Sequence, residues 1–216
     1  MSSTRRFPLL PQTKVRTLFK EVHSMKANTL TFEQALTQVS ASSAGGAPFL
    51  IAYGITFIVT GILSFLLPEN TAALVAMFQG AVALPAAFWL ERRMGQGPMP
   101  ADNPLKSLSG LMAMSQALAI PALIVVFNLN PRAIPVVLAA LGGVHFLPYA
   151  WLHRSRVYIY LAVTIALGAF MLQFFLGPPA FHWILFFVGA VYLVAAPLVY
   201  RQAAGLVAGH IPAAAD

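Results

Sequence analysis

Six apolar runs, each about twenty residues long, divide the chain, and short polar gaps separate them. Twenty residues rising 1.5 Å each cover about 30 Å, the thickness of a bilayer's hydrocarbon core. The pattern predicts spans over about 48–67, 71–90, 107–127, 133–152, 157–176 and 181–200. The runs are continuously apolar, whereas barrel strands alternate apolar and polar positions over about ten residues. Helices also close their own backbone hydrogen bonds, which lipid cannot do for them. The expected fold class is therefore all-α: a polytopic helical bundle with six transmembrane helices.

Residues 1–47 form a polar, basic N-terminal arm, and 202–216 a short tail beyond the transmembrane domain of 48–201. Pro8 and Pro11 should keep the start of the arm extended. Thr31, with Gln34 three residues on, fits a capping box. A short amphipathic helix from about Phe32 to Val39 would put Phe32, Leu36 and Val39 on one face. Such a helix is expected to lie on the lipid surface; a docking arm for a partner is the alternative. Ser40 to Gly46 reads as a small-residue linker.

Charge supplies an orientation. Of 13 Lys and Arg, the segments before, between and after the runs carry six, zero, three, one, two, zero and one. Short basic loops resist translocation. With both termini in the cytoplasm, twelve basic residues lie inside and only Arg132 outside. No signal-peptide pattern appears in the arm, since Arg5 and Arg6 precede only four apolar residues. A bacterial cytoplasmic (inner) membrane is the expected location.

Composition agrees with a membrane protein: 59% of residues are hydrophobic and 9% charged, against about 25% charged in soluble domains. The net charge of +7 sits at helix ends, where it suits anionic lipid head groups. No basic stripe interleaves with exposed aromatics, so no nucleic acid is expected. With zero cysteines, disulfides and thiolate chemistry are excluded.

The spans hold no Asp, Glu, Lys or Arg away from their ends, which argues against a carboxylate-driven pump. No metalloprotease helix motif, paired carboxylates or serine elbow occurs. No catalytic residue, metal site or cofactor is assigned, and enzymatic activity is not expected. His145 lies about eight residues inside the inner end of the fourth span, and Gln79 and Gln116 lie near the middles of the second and third. A mid-bilayer amide needs a partner. Gln79 and Gln116 could bond each other or, with His145 and the neighbouring Tyr149, line a narrow polar cavity. Interhelical packing explains the same residues without a ligand. Gly142 and Gly143 would permit close helix approach. His153, Arg154 and Arg156 read as a basic loop against lipid phosphate. Each inward-going helix closes with proline, aromatic and basic residues; a repeated hairpin or ordinary membrane-boundary chemistry would give that echo.

Asn103-Pro104-Leu105, Gly110-Leu111, Gln116, Pro121 and the block from Gly142 to Tyr149 with Trp151 resemble a family of uncharacterised bacterial six-helix membrane proteins. That family carries an Asn-Pro-Leu loop and a Gly-x-His-Phe-Leu-Pro-Tyr block. The resemblance implies the architecture and points to His145 and Gln116 without naming a substrate. Two functions follow as expectations: a small carrier or sensor built on the polar cluster, or a structural subunit whose polar residues only pack helices. An exposed groove of small residues would mark a homo-oligomer or another membrane partner.

Overall fold

The computed structural model describes residues 30–208, and within them the chain is helical with no strand. Contacts divide the chain into Met1–Phe32 and Glu33–Asp216, and all six spans belong to the second unit. The extended start expected at Pro8 and Pro11 lies outside the described residues, as does the end of the tail.

Six helices are long and apolar enough to cross a membrane: Ala44–Ser64, Glu69–Met94, Lys106–Leu129, Pro131–Leu152, Val157–Leu176 and Ala180–Leu206. They fall on the six runs expected, with ends shifted by a few residues. The second and third are not continuous. The second breaks at Gln79, between Glu69–Phe78 and Gly80–Met94. The third breaks at Leu118 and Ala119, between Lys106–Ala117 and Ile120–Leu129. Pro121 accounts for the second break, because it has no N–H for the carbonyl one turn back.

The first and sixth spans form the centre, and the first also packs against the second half of the second span. The fourth and fifth pack on each other and on the sixth. Glycine sets the closest approach. A Cβ added at Gly189 would lie 2.8 Å from the Gly54 carbonyl oxygen, and one at Gly54 would lie 3.1 Å from the Gly189 carbonyl oxygen. The two backbones touch there, as small residues allow in membranes. Gly143 meets the Ala162 backbone in the same way, so the close approach expected at Gly142-Gly143 occurs against the fifth span. The third span packs mainly on the fourth and on the first half of the second.

The helix Phe32–Ser42 begins directly after Thr31 and runs three residues past the expected end. Its Leu36 and Val39 are buried, together with Ala35 and Ser40, while Phe32 is 53% exposed. The apolar face was expected on lipid. Leu36 and Val39 of that face are covered by protein instead. Asn103 Nδ2 donates to the Ala35 carbonyl at 3.0 Å, and the Gln96 N–H donates to the Ala41 carbonyl at 3.0 Å. The helix thus caps the end of the bundle that carries the 95–105 and 153–156 loops. A joint at Ala44, Gly45 and Gly46, all with positive φ, turns the chain from this cap into the first span. Glycine is suited to that backbone, and Gly45 also has the Val199 carbonyl 2.8 Å from where a Cβ would sit.

Candidate functional site

The four polar residues singled out within the spans do not form one cluster. Gln79, at the break in the second span, is 8% exposed and accepts a hydrogen bond from the Thr60 hydroxyl at 3.4 Å. Gln116 turns to the fourth span, where its Nε2 donates to the Leu141 carbonyl at 3.3 Å. The two amides therefore do not bond each other: one faces the first span and the other the fourth.

Gln116 and His145 do share a seam, between the third and fourth spans, and the Tyr149 ring packs against His145. His145 Nδ1 lies 3.4 Å from Ser115 Oγ, and the His145 and Tyr149 rings meet edge to face at 5.1 Å. Helical spacing of four puts both on one side of the fourth span. The Ser115 hydroxyl has one proton and donates it to the Met112 carbonyl at 2.6 Å. The bond to His145 must then be donated by Nδ1–H, which leaves Nε2 of a neutral ring with its lone pair. The seam thus offers an acceptor nitrogen near the Tyr149 ring, while Phe146 packs on Tyr158 and Tyr192 of the fifth and sixth spans. It is closed by two hydrogen bonds, both 3.3 Å or longer, and neither is strong at that length.

Four residues further along the same helical face stands His153. A basic loop against lipid phosphate was expected here. Arg154 and Arg156 are exposed, but His153 is only 4% exposed. It stacks between Tyr149, at 5.7 Å, and Tyr158, at 5.5 Å. Its Nδ1 shares a 3.2 Å hydrogen bond with Ser40 Oγ of the capping helix. Burial disfavours the charged ring and pushes its pKa down to about 4. Tyr158 donates to the Gly45 carbonyl at 2.5 Å, and Ser155 donates to Gln202. Asn103, 3% exposed, adds a bond to Gln38 Oε1 at 3.0 Å and receives the Leu105 N–H at 2.9 Å. Glu33 of the cap pairs with Arg154. A buried polar knot therefore fastens the N-terminal helix to the bundle, and nearly all of it was invisible as such in the sequence. The signal available was Asn103 in its Asn-Pro-Leu loop, a side chain suited to closing a turn on its own backbone.

At the opposite end, His182 was also missed. The Ser64 hydroxyl donates to the Gly61 carbonyl at 2.6 Å and lies 2.7 Å from His182 Nδ1. The His182 ring stacks on Phe65 at 4.3 Å. Nearby in the chain order, Arg132 Nε reaches both carboxylate oxygens of Glu69, at 2.7 and 2.8 Å. That pair joins the turn before the fourth span to the start of the second.

A family model described as "Family of unknown function (DUF7010)" matches residues 32–202. The match begins at the first residue of the capping helix and takes in all but the last few residues of the sixth span. The chain belongs to this family. Neither a curated protein nor a solved structure matches it. For this member of the family, the six apolar helices mark a multi-pass membrane protein.

Proposed function

We propose that the protein is a small carrier or sensor whose ligand enters the seam between the third and fourth spans and meets Gln116, His145 and Tyr149. The observation that supports this reading is the meeting of Gln116 and His145 between the third and fourth spans, through two long hydrogen bonds with the Tyr149 ring against His145. A ligand suited to the seam is small and carries an N–H or O–H donor. A cationic ligand would gain further from the Tyr149 ring. The reading gives the protein no enzymatic role. It places both termini in the cytoplasm of a bacterial cell, with the chain in the inner membrane; the distribution of Lys and Arg supports that orientation.

A thermal-shift screen in detergent tests the ligand, using small polar and cationic compounds on the wild type, His145→Ala and Gln116→Ala. A ligand that binds only the folded state raises the melting temperature by mass action. The expected result is a shift lost in both variants while they remain folded. A reporter fused at Asn130 should read outside and one at Gln96 inside; the reverse would overturn the orientation.

A structural or accessory subunit is the second reading. The low burial of the third span, 6%, favours it, since a partner helix could cover what this chain leaves open. No shift with any ligand, with both variants melting earlier, would select it.

A further inference from the structure

The turn between the fourth and fifth spans borders an open hollow of about 410 Å³. Leu147, Ala150 and Trp151 of the fourth span and Ile159 of the fifth form its apolar wall, and Arg154 and Arg156 stand on its rim. The volume is that of a site for a small molecule or a molecular fragment. The hollow's own lining carries two guanidinium groups and no carboxylate, with one carboxylate, Glu33, reaching Arg154 from the capping helix. Glu33 pairs with Arg154, while exposed Arg156 has no ion-pair partner among the described residues.

The backbone here is unusual. Arg154 has a φ of 51°, in the left-handed region that a residue with a Cβ rarely adopts. Ser155, buried and bonded to Gln202, holds the turn in place. Strain kept in a polar turn is a pointer to function. The result is two cations two residues apart on the rim of one hollow.

Depth identifies the occupant. The hollow begins inside the fourth span at Leu147 and ends at the turn just beyond it. That places the wall beside lipid chains and the two arginines at head-group level, with Trp151 where interfacial tryptophans gather. We infer that this hollow is a binding site for one anionic glycerophospholipid, with an acyl chain along Leu147 and Ile159 and the phosphate between Arg154 and Arg156. Guanidinium forks suit phosphate oxygens. This site lies outside the seam and stands or falls independently of the function proposed for it.

Native mass spectrometry of the detergent-purified full chain, titrated with phosphatidylglycerol or phosphatidylcholine, tests the assignment. The wild type should retain one phosphatidylglycerol in preference to phosphatidylcholine. Arg156→Gln leaves the Glu33–Arg154 pair intact and should bind phosphatidylglycerol about fivefold more weakly, the factor equivalent to about 1 kcal/mol per basic residue. Its lipid-free melting temperature should match the wild type. Glu33→Gln frees Arg154 and should hold phosphatidylglycerol at least as tightly as the wild type. Equal retention of the two lipids by the wild type would overturn the site, as would wild-type affinity in Arg156→Gln. Displacement of phosphatidylglycerol by free glycerol phosphate at equal concentration would show a soluble phosphate site instead, and would equally overturn it.

Discussion

The first and third spans are almost equally apolar, with mean hydropathies of 1.9 and 2.0, yet 44% of the first is buried in the protein and 6% of the third. Hydropathy cannot separate them, because lipid tails and protein interiors are alike to an apolar side chain. What separates them is the spacing of small residues. Gly54 of the first span lies against the backbone of the sixth at Gly189, and Gly61 against the Phe186 ring. The third span has Gly110, with nothing within 4 Å of an added Cβ, and exposes Leu111, Met114, Leu118, Val125 and Leu129. Entry into the membrane and packing within it are thus two separate properties of the same sequence.

The sharpest way to break this contrast is at the crossing of the first and sixth spans. Gly189→Ala puts a Cβ 2.8 Å from the Gly54 carbonyl oxygen and should cost about 1–3 kcal/mol, as overpacking does. Gly189→Leu should leave no folded protein by size-exclusion chromatography in detergent. The next largest effect concerns the capped end. His153 is neutral when folded, with its pKa held at about 4 by burial, whereas an exposed histidine titrates near 6.5. The unfolded or released state therefore takes up a proton first, and stability falls as pH drops from about 6.5 to about 4. The loss should be on the order of 3 kcal/mol, read as a lower melting temperature. His153→Gln should remove that pH dependence.

Smaller effects sharpen the same comparison. Tyr158→Phe strands the Gly45 carbonyl and should cost about 1–3 kcal/mol, with faster proteolysis at the Gly45-Gly46 joint as its signature. Gly110→Ala, the counterpart of Gly189→Ala on the exposed span, should reverse the sign. It should raise stability by up to about 1 kcal/mol through helix propensity, because no neighbour is displaced. Gln116→Ala should cost least, about 0.6 kcal/mol, the average for a polar contact between membrane helices. If Gln116→Ala proved as damaging as Gly189→Ala, the third span would be more tightly held than its burial implies.

The same division governs what could be read from the sequence. The six spans were legible because about twenty apolar residues in a row have one outcome in water and lipid. The short helix after Thr31 was legible from its cap and its spacing. Partners were not. Gln79 and Gln116 sit at similar depth, and depth alone suggested a pair, but which neighbour each faces depends on how the spans are arranged around one another. His153 was misread for a related reason. Its neighbours Arg154 and Arg156 are exposed, and its ring is covered by Tyr158 of the fifth span and by the helix carrying Ser40, 113 residues earlier. Burial created by a distant segment leaves no local trace. That His145 and Tyr149 meet could be read from the sequence, because they lie one turn apart on one helix.

The Arg132–Glu69 pair gives the third span a mechanical character. Its far end leads directly into the turn that this ion pair ties to the second span. Its middle is interrupted at Leu118 and Ala119, and its near half, Lys106–Ala117, has no buried residue. The span is held at both ends, by Asn103 bonded to the capping helix just before Lys106 and by the Arg132–Glu69 pair just beyond Leu129, and it is elbowed at the centre. Amide exchange should therefore be fastest at the interruption, Leu118 and Ala119, and slower towards both tied ends.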